Sequence, residues 1–379
     1  MKVAILTQPL KSNYGGILQA FALQSTLKNL GHDVVTIDRQ LNEKSKLHQM
    51  LSFLKYVAAR IKPGTNPVRF NASQQNIIFK NTLNFIGQHI RLSERIGSDQ
   101  EMQKHFAKST YQAIIVGSDQ TWRPKYSPNI LNFYLDFLSD NYTKRIAYAS
   151  SFGVDKWEYN RQQTIHCRQL AQKFDAISVR EQSGVKLCKE HLNAHADTVL
   201  DPTLLLTAND YISRLEIDTD NAKQKGLFIY ILDNNEDKSR SATNISELLN
   251  LTAFTNQPAI SPSKGGSKKI DDYVYPKVET WIKAFHDAEF VITDSFHGCV
   301  FSIIFNKPFL AIVNQRRGLA RVDSLLKLFK LEDRLITQSS EITADRIERK
   351  IDWLLINSII EEQKKQSLNF LTRNLGSTL

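Results

Sequence analysis

The feature that most constrains the fold is a repeated alternation of short apolar runs with segments of helical periodicity. Residues 3–6 form the first apolar run, a turn follows at residues 13–16, and Ala20, Leu23 and Leu27 then recur at helical spacing. Further apolar runs of strand length occupy residues 34–37, 113–116, 145–149, 176–179, 198–200, 226–232, 290–293 and 308–313. Strands that alternate with helices in this way are typical of βαβ units, which build parallel sheets. The sequence therefore predicts an α/β protein.

The length of the chain and a break in this alternation predict two domains. A chain of 379 residues is longer than one hydrophobic core usually serves. The first series of strands closes at Asp201 and Pro202, and a new series opens at residue 226. We predict an N-terminal α/β domain over residues 1–206 with a helical insertion around 41–112, a C-terminal α/β domain over 224–335, and a C-terminal helical segment over 341–379. The two α/β domains are expected to face each other across a cleft.

The net charge of the chain favours anionic ligands. Lys and Arg number 49 against 39 Asp and Glu, a net charge of +10, which attracts phosphates, nucleic acid and acidic lipid surfaces. The basic residues are scattered, and the densest cluster, at residues 264–269, lies in a Gly/Ser loop without interleaved aromatic residues. We therefore predict no nucleic-acid partner. Peripheral association with the inner face of a membrane fits the charge, although no amphipathic anchor is evident.

Hydrophobic patterning and cysteine usage predict a cytoplasmic protein without a metal site. No window approaches about 18 uninterrupted apolar residues, and residues 7–9 break the amino-terminal apolar run. The three cysteines, Cys167, Cys188 and Cys299, are far apart and show no CxxC spacing, which favours neither a disulfide framework nor structural zinc. His191 and His195 have i, i+4 spacing, but no third ligand is placed near them.

Polar residues and glycines directly follow several predicted strands. In open parallel sheets, ligands bind outside the carboxyl ends of the strands, where helix N-termini present unpaired N–H groups. The residues at these positions are Asn13, Tyr14, Gly15 and Gly16 after the first strand, Ser118, Asp119, Gln120 and Trp122 after residues 113–116, and Ser150 and Ser151 after residues 145–149. Each group also fits a simple turn, and Ser118 or Asp119 fits the N-cap of a following helix. A role in ligand binding and a purely structural role in turns and caps both stay open at this point.

Arg180 directly follows the strand predicted at residues 176–179. At such a position a guanidinium can donate two parallel hydrogen bonds to a carboxylate or a phosphate. The alternative is a structural ion pair with Glu181 or with another carboxylate, since both functional and structural pairs occur in proteins.

His297 lies in the first turn of the helix predicted after residues 290–293, with Ser295 or Asp294 as the N-cap. This position points the imidazole into the cleft between the domains, where it can act on an anionic substrate as a general acid or base. The other eight histidines lack this setting, and we interpret them as surface or packing residues.

Seven segments together resemble the polysaccharide pyruvyl transferase family, whose members transfer pyruvate from phosphoenolpyruvate to a sugar as a ketal. They are NYGGILQAFALQSTL (13–27), VGSDQTW (116–122), RIAYASSFG (145–153), ISVRE (177–181), VLDPTLLL (199–206), TDSFHG (293–298) and RVDSLLKLFKLEDR (321–334). They occur in the order that the family has. The seven segments together are far more specific for this family than any one of them alone.

The resemblance implies two Rossmann-like domains facing across a cleft, a GT-B-like arrangement, with a C-terminal helix packing back on the N-terminal domain. It implies phosphoenolpyruvate as donor, with no further cofactor, and a sugar or lipid-linked oligosaccharide as acceptor. Arg180 would bind the phosphate or carboxylate of the donor, and His297 would be the acid/base or phosphate-binding residue. The substrate-binding residues would be Asn13, Tyr14, Gly15, Gly16, Gln19, Ser118, Asp119, Gln120, Trp122, Ser150, Ser151, Asp201, Asp294, Ser295 and Phe296.

One position departs from the family pattern. Some members carry an arginine two residues before the histidine, whereas this chain has Ser295 there. We expect the missing cation to come from Arg316, Arg317 or Arg321.

Two other functions fit the same architecture, because a fold does not determine a function. One is a glycosyltransferase that uses a nucleotide sugar, and the other is a non-catalytic glycan-binding protein of a polysaccharide assembly complex. Release of phosphate from phosphoenolpyruvate in the presence of glycans would separate the predicted enzyme from both.

Overall fold

Two parallel sheets form the framework of the structure, a computed structural model that describes residues 1–41, 70–139, 143–220, 225–262, 267, 269–313 and 319–376. The first sheet has the strand order β3-β2-β1-β4-β5-β6-β7 and the second the order β12-β11-β10-β8-β9. The first sheet comprises β1 (Lys2–Leu6), β2 (Asp33–Arg39), β3 (Leu92–Ile96), β4 (Ala113–Val116), β5 (Lys144–Ser150), β6 (Ala176–Val179) and β7 (Asp197–Thr198). The second comprises β8 (Leu227–Tyr230), β9 (Ala253–Thr255), β10 (Phe290–Thr293), β11 (Phe309–Ile312) and β12 (Leu335–Ile336).

Helices connect the strands of both sheets and extend past the last strand. The α-helices are α1 (Tyr14–Asn29), α2 (Ala72–Ile78), α3 (Lys80–His89), α4 (Asp99–Lys108), α5 (Arg161–Ala171), α6 (Gln182–Leu187), α7 (Ala208–Arg214), α8 (Glu236–Leu249), α9 (Val278–Asp287), α10 (Phe296–Ile304), α11 (Leu319–Leu328), α12 (Ala344–Glu348) and α13 (Trp353–Leu375). Every strand pair within the two sheets is parallel. The predicted parallel α/β architecture is confirmed.

Three strands are not predicted from the sequence, namely β3, β9 and β12. All three lie at sheet edges. The strand β3, inside the stretch expected to be helical, exposes Glu94 and Arg95, and β9 exposes two of its three residues. Edge strands are covered on one side only and so lack the continuous apolar run that marks a buried parallel strand. The strand β12 has only two residues. Residues 42–69 of the predicted helical insertion lie outside the described residues.

The hydrophobic core is continuous between the two sheets. One buried cluster contains Val3 of β1, Ile17 of α1, Phe228 of β8 and Phe301 of α10. Within it, the ring of Tyr14 stacks on Trp281 with 5.5 Å between centroids. Helix α1 is therefore buried on almost all sides, and its first turn is held against the second domain.

The C-terminal helix α13 packs back on the first domain, as predicted. The Leu200 amide donates to Ser367 Oγ at 3.0 Å, and Lys144 Nζ donates to the Asn374 carbonyl at 2.7 Å. Among the described helices, none combines the length and the apolar character needed to span a membrane.

Candidate active site

The loop between β10 and α10 places His297 at the interface between the domains. Strand β10 is fully buried, and Ser295 is the N-cap residue of α10 by its backbone, but its side chain makes no capping hydrogen bond. The Asp294 carboxylate accepts hydrogen bonds from the amides of Leu232 at 2.7 Å and Asp233 at 3.0 Å. Ser295 therefore occupies the predicted N-cap position without a capping hydrogen bond from its side chain, while the carboxylate of Asp294 binds the loop after β8 instead.

Gly15 of the first domain lies directly against the imidazole of His297. Helix α1 begins at Tyr14, so Gly15 lies in its first turn rather than in a preceding loop as predicted. A Cβ atom at Gly15 would lie 2.0 Å from His297 Nδ1, a distance that no side chain tolerates without movement. Only glycine allows the helix of one domain to approach the histidine of the other so closely.

Asp201 links Arg180 of the first domain to His297 of the second. Its Oδ2 atom accepts a hydrogen bond from Arg180 Nη1 at 2.7 Å and lies 3.7 Å from His297 Nε2. Its Oδ1 atom accepts from the amide of Thr203 at 3.0 Å and from its hydroxyl at 2.6 Å. Arg180, Asp201 and His297 are 2–7% exposed, so bulk water does not screen the interactions between them.

This environment keeps Asp201 ionised. Burial raises the pKa of the Asp201 carboxyl, but the contact with His297, the charge of Arg180 and the hydrogen bonds from Thr203 outweigh it and hold that pKa well below its usual value. A guanidinium and an imidazole that come from different domains thus contact one carboxylate.

Arg180 keeps part of its hydrogen-bonding capacity free. Nη1 pairs with Asp201, while Nε and Nη2 are buried and have no hydrogen-bond partner in the described part of the chain. The guanidinium lies 4.2 Å from the centre of the Phe296 ring, and Nε is 3.7 Å from Glu181 Oε2. Burial lowers the pKa of Arg180, but the charges of Asp201 and Glu181 raise it more. Buried donors without partners are costly, so this arrangement favours a bound anion.

Arg321 supplies a second cation near Arg180. It lies on α11 of the second domain, and its Nε is buried without a hydrogen-bond partner among the described residues. Burial and the nearby charge of Arg180 lower its pKa to about 10, so it stays protonated at neutral pH. Arg321 is therefore the candidate to replace the cation absent at Ser295, while Arg316 and Arg317 lie outside the described residues.

Two adjoining cavities meet at this cluster. Arg180 and Asp201 line a cavity of about 1140 Å³, and His297 lines a neighbouring cavity of about 460 Å³. Phe296 and Arg321 line both. The expected cleft thus consists of two connected parts, one on each side of Phe296 and Arg321.

The structure divides the other predicted residues into two groups. The 460 Å³ cavity is lined by Asn13, Gly16, Asp119, Gln120, Asp294 and Ser295. A second group is buried and bonds to the protein itself, or packs in the core: Tyr14, Gln19, Ser118, Trp122, Ser150 and Ser151. Their bonds join the strand-end loops to one another; for example, Gln19 Oε1 accepts from the Ser118 amide at 2.9 Å.

The loop after β4 differs from the expectation that Ser118 or Asp119 caps a helix. No helix follows directly; Asp119 has a left-handed φ of 65°, and its carbonyl accepts from the amides of Thr121 at 2.8 Å and Ser151 at 3.1 Å. Lys238, which the sequence does not predict as a site residue, donates from Nζ to Asp294 Oδ2 at 2.7 Å. Nothing in the local pattern of α8 marks that lysine, because its partner lies on another segment.

Neither a metal cluster nor a disulfide is found in the described ranges. No group of three His, Cys, Asp or Glu side chains is placed to hold a metal ion there, and the three cysteines are free and buried.

Comparison with known proteins relates the chain to one family and to solved structures with a similar fold. The chain matches the family model Polysaccharide pyruvyl transferase over residues 13–316. A comparison with curated proteins finds no match. The UDP complex of Arabidopsis thaliana UGT89C1 is similar with a TM-score of 0.53 at 10% identity, covering 99% of this chain and 100% of that one. The N-terminal domain of Candida albicans trehalose-6-phosphate phosphatase is similar with a TM-score of 0.50 at 11% identity, covering 100% and 97%.

Likeness to solved structures at such low identity shows the fold alone, and it confirms the predicted GT-B-like arrangement of two domains. The family match covers most of the chain and includes both Arg180 and His297. The chain belongs to the polysaccharide pyruvyl transferase family.

Proposed function

We propose that this protein transfers the pyruvyl group of phosphoenolpyruvate to two hydroxyls of one sugar and so forms a cyclic ketal. The observation that carries the proposal is the pair of guanidiniums, Arg180 and Arg321, whose buried N–H groups beside the cavity of His297 have no partner in the part of the chain that the structure describes. Phosphoenolpyruvate carries a phosphate and a carboxylate on a small skeleton. Two guanidiniums can bind these groups with charge-assisted hydrogen bonds.

His297 acts as the acid in the first step. The imidazolium gives its proton to the methylene carbon of phosphoenolpyruvate, and C2 becomes electrophilic. A sugar hydroxyl attacks C2 and loses its proton to the imidazole, which leaves a tetrahedral phospho-ketal. Asp201, whose Oδ2 lies 3.7 Å from His297 Nε2, holds the orientation of the ring.

The arginines act in the second step. The bond between C2 and the phosphate oxygen breaks, and the negative charge that develops on the departing phosphate is stabilised by Arg180 and Arg321. The second hydroxyl attacks C2 and gives its proton to the phosphate. The products are the cyclic ketal and inorganic phosphate, so atoms and charge balance without a redox partner.

The proposal is tested by incubating the protein with phosphoenolpyruvate and a panel of glycans. We expect phosphate release that depends on the glycan, together with a product heavier than the glycan by one pyruvyl group, measured by mass spectrometry. Parallel reactions with nucleotide sugars serve as the comparison. Transfer of a glycosyl group without consumption of phosphoenolpyruvate would contradict the proposal and favour the glycosyltransferase.

We expect Arg321→Gln to raise the KM for phosphoenolpyruvate roughly 10- to 100-fold, because a hydrogen bond to a charged group contributes about 1.5–3 kcal/mol. Arg321→Lys keeps the charge and is expected to lose less. Arg373, an exposed arginine on α13, gives the control variant Arg373→Gln. Steady-state kinetics at varied phosphoenolpyruvate measure the effect; an unchanged KM in Arg321→Gln would remove Arg321 from the donor site.

We expect Gly15→Ala to lower turnover about 100-fold, because the new Cβ displaces the His297 ring and a misplacement of about 1 Å costs that much. Gly87→Ala is the matched control, since Gly87 also lies in a helix and a Cβ there meets no atom within 4 Å. The control is expected to keep its turnover and to gain roughly 0.5–1 kcal/mol of stability. Equal turnover in the two variants would show that the contact between Gly15 and His297 does not matter for the reaction.

A further inference from the structure

A third cavity, of about 1070 Å³, lies at the carboxyl ends of β8 and β9 in the second domain. One wall is a face of α8 on which Ser239, Thr243 and Ser246 recur at helical spacing. The rings of Phe254 and Tyr275 line other parts of it. None of these five residues belongs to the cluster around Asp201.

The lining of this third cavity is almost free of charge. Of the described residues that line it, only Lys238 and Glu247 belong to the types Lys, Arg, His, Asp and Glu. Lys238 Nζ lies 2.7 Å from Asp294 Oδ2, so the lysine is paired with a carboxylate. The other polar groups are hydroxyls and amides, such as those of Thr243 and Gln257. The cavity lined by Arg180 and Arg321 in contrast presents guanidinium N–H groups that are buried and have no hydrogen-bond partner among the described residues. An anionic donor therefore has its site elsewhere, and the third cavity suits a neutral ligand.

Aromatic rings combined with neutral hydroxyls and amides fit a pyranose. The C–H face of a sugar ring packs on an aromatic ring, and its hydroxyls pair with groups that both donate and accept hydrogen bonds. The volume is at the upper end of small-molecule sites, which span about 300–1,000 Å³. The cavity thus has room for more than one sugar residue.

The third cavity also adjoins the cavity of His297. Asn13, Leu232 and Lys238 line both. A glycan bound along β8 and β9 can therefore present its terminal residue to the imidazole, while the rest of the chain stays in the third cavity.

We propose that the third cavity binds the neutral sugar residues of the acceptor. This inference rests on the proposed function, because that function makes the bound sugar an acceptor. Charged sugars are disfavoured, because the described lining offers a uronic acid no free cation and places Glu247 at the wall. The acceptor class is therefore a neutral oligosaccharide bound by stacking and by hydrogen bonds.

Binding is tested by saturation-transfer NMR on the full chain, with methyl β-D-galactopyranoside, methyl β-D-glucopyranoside and methyl β-D-glucuronide as probes. We expect signal from at least one neutral glycoside and none from the glucuronide. Thr243→Trp and, one turn away, Ser239→Trp fill the cavity and are expected to abolish the signal. Asn244→Trp is the matched control, because Asn244 is exposed on the same helix and does not line the cavity; it is expected to keep the signal.

The outcomes separate this inference from the proposed function. Absence of signal in the unmodified protein, or equal signal in folded Thr243→Trp, Ser239→Trp and Asn244→Trp, would overturn the sugar site. Thermal unfolding verifies that each variant is folded. Binding of phosphoenolpyruvate, followed by ³¹P NMR, is expected to be the same in all four proteins. Sugar binding without any turnover of phosphoenolpyruvate would overturn the proposed function and leave the sugar site in place.

Discussion

Replacing His297 by alanine is expected to lower turnover at least about 100-fold, the contribution typical of one acid/base group, while the protein stays folded. The methylene carbon of phosphoenolpyruvate needs a proton from a group within reach, and His297 is the only histidine that lines the two cavities among the described residues. Its Nε2 has no hydrogen-bond partner there, so its removal breaks no hydrogen bond at that atom. Folding is checked by thermal unfolding.

Two further variants make this result specific. His297→Gln keeps a polar side chain of similar size but cannot exchange a proton near neutral pH, so we expect it to be as inactive as the alanine variant. His166→Ala removes an exposed histidine on α5 and is expected to retain full turnover. Rates are measured from phosphate release at saturating phosphoenolpyruvate. Near-normal turnover in His297→Gln would show that the ring only fills space.

Replacing Asp201 by asparagine is expected to have the largest effect on both stability and activity. The carboxylate accepts from Arg180 at 2.7 Å and from Ser118 at 3.3 Å, and all of these groups are buried. An amide in its place leaves the guanidinium without its partner, and breaking a buried ion pair costs about 3–5 kcal/mol. Turnover is expected to fall at least as far as in His297→Ala, because both Arg180 and His297 lose the carboxylate that orients them.

The pH dependence of stability distinguishes this role of Asp201 from simple packing. A carboxyl whose pKa in the folded protein is below its ordinary value of 3.8 stabilises the fold fully above that value, and the stabilisation is lost as the pH falls through the folded pKa. The unmodified protein should therefore lose stability below about pH 4 more steeply than Asp201→Asn. Urea unfolding between pH 7 and pH 3 measures the difference.

Asp220→Asn alters an exposed carboxyl and is expected to leave the pH profile of the unmodified protein unchanged. Identical slopes in Asp201→Asn and the unmodified protein would show that the carboxylate of Asp201 is not held ionised by its neighbours, and the proposed bridge between the domains would lose its support.

Local sequence patterns were sufficient to predict the parallel sheets and the positions of Arg180 and His297. Buried parallel strands are covered on both faces, so residues 113–116 and 290–293 appear as continuous apolar runs, and the residue after such a run lies at the carboxyl end of the sheet whatever the rest of the chain does. Edge strands such as β3 lack this signal, because solvent covers one side of them.

Local patterns therefore account for the architecture and for two residues of the candidate site, together with the family that the motifs indicate. The packing of the two domains is needed to see that Gly15 abuts His297, that Asp201 joins it to Arg180, that Arg321 lines the same cavity as Arg180, and that serines such as Ser150 turn inward. These relations join segments that are far apart in the chain. They depend on how the two domains pack and where each side chain points, and local periodicity carries no information about either.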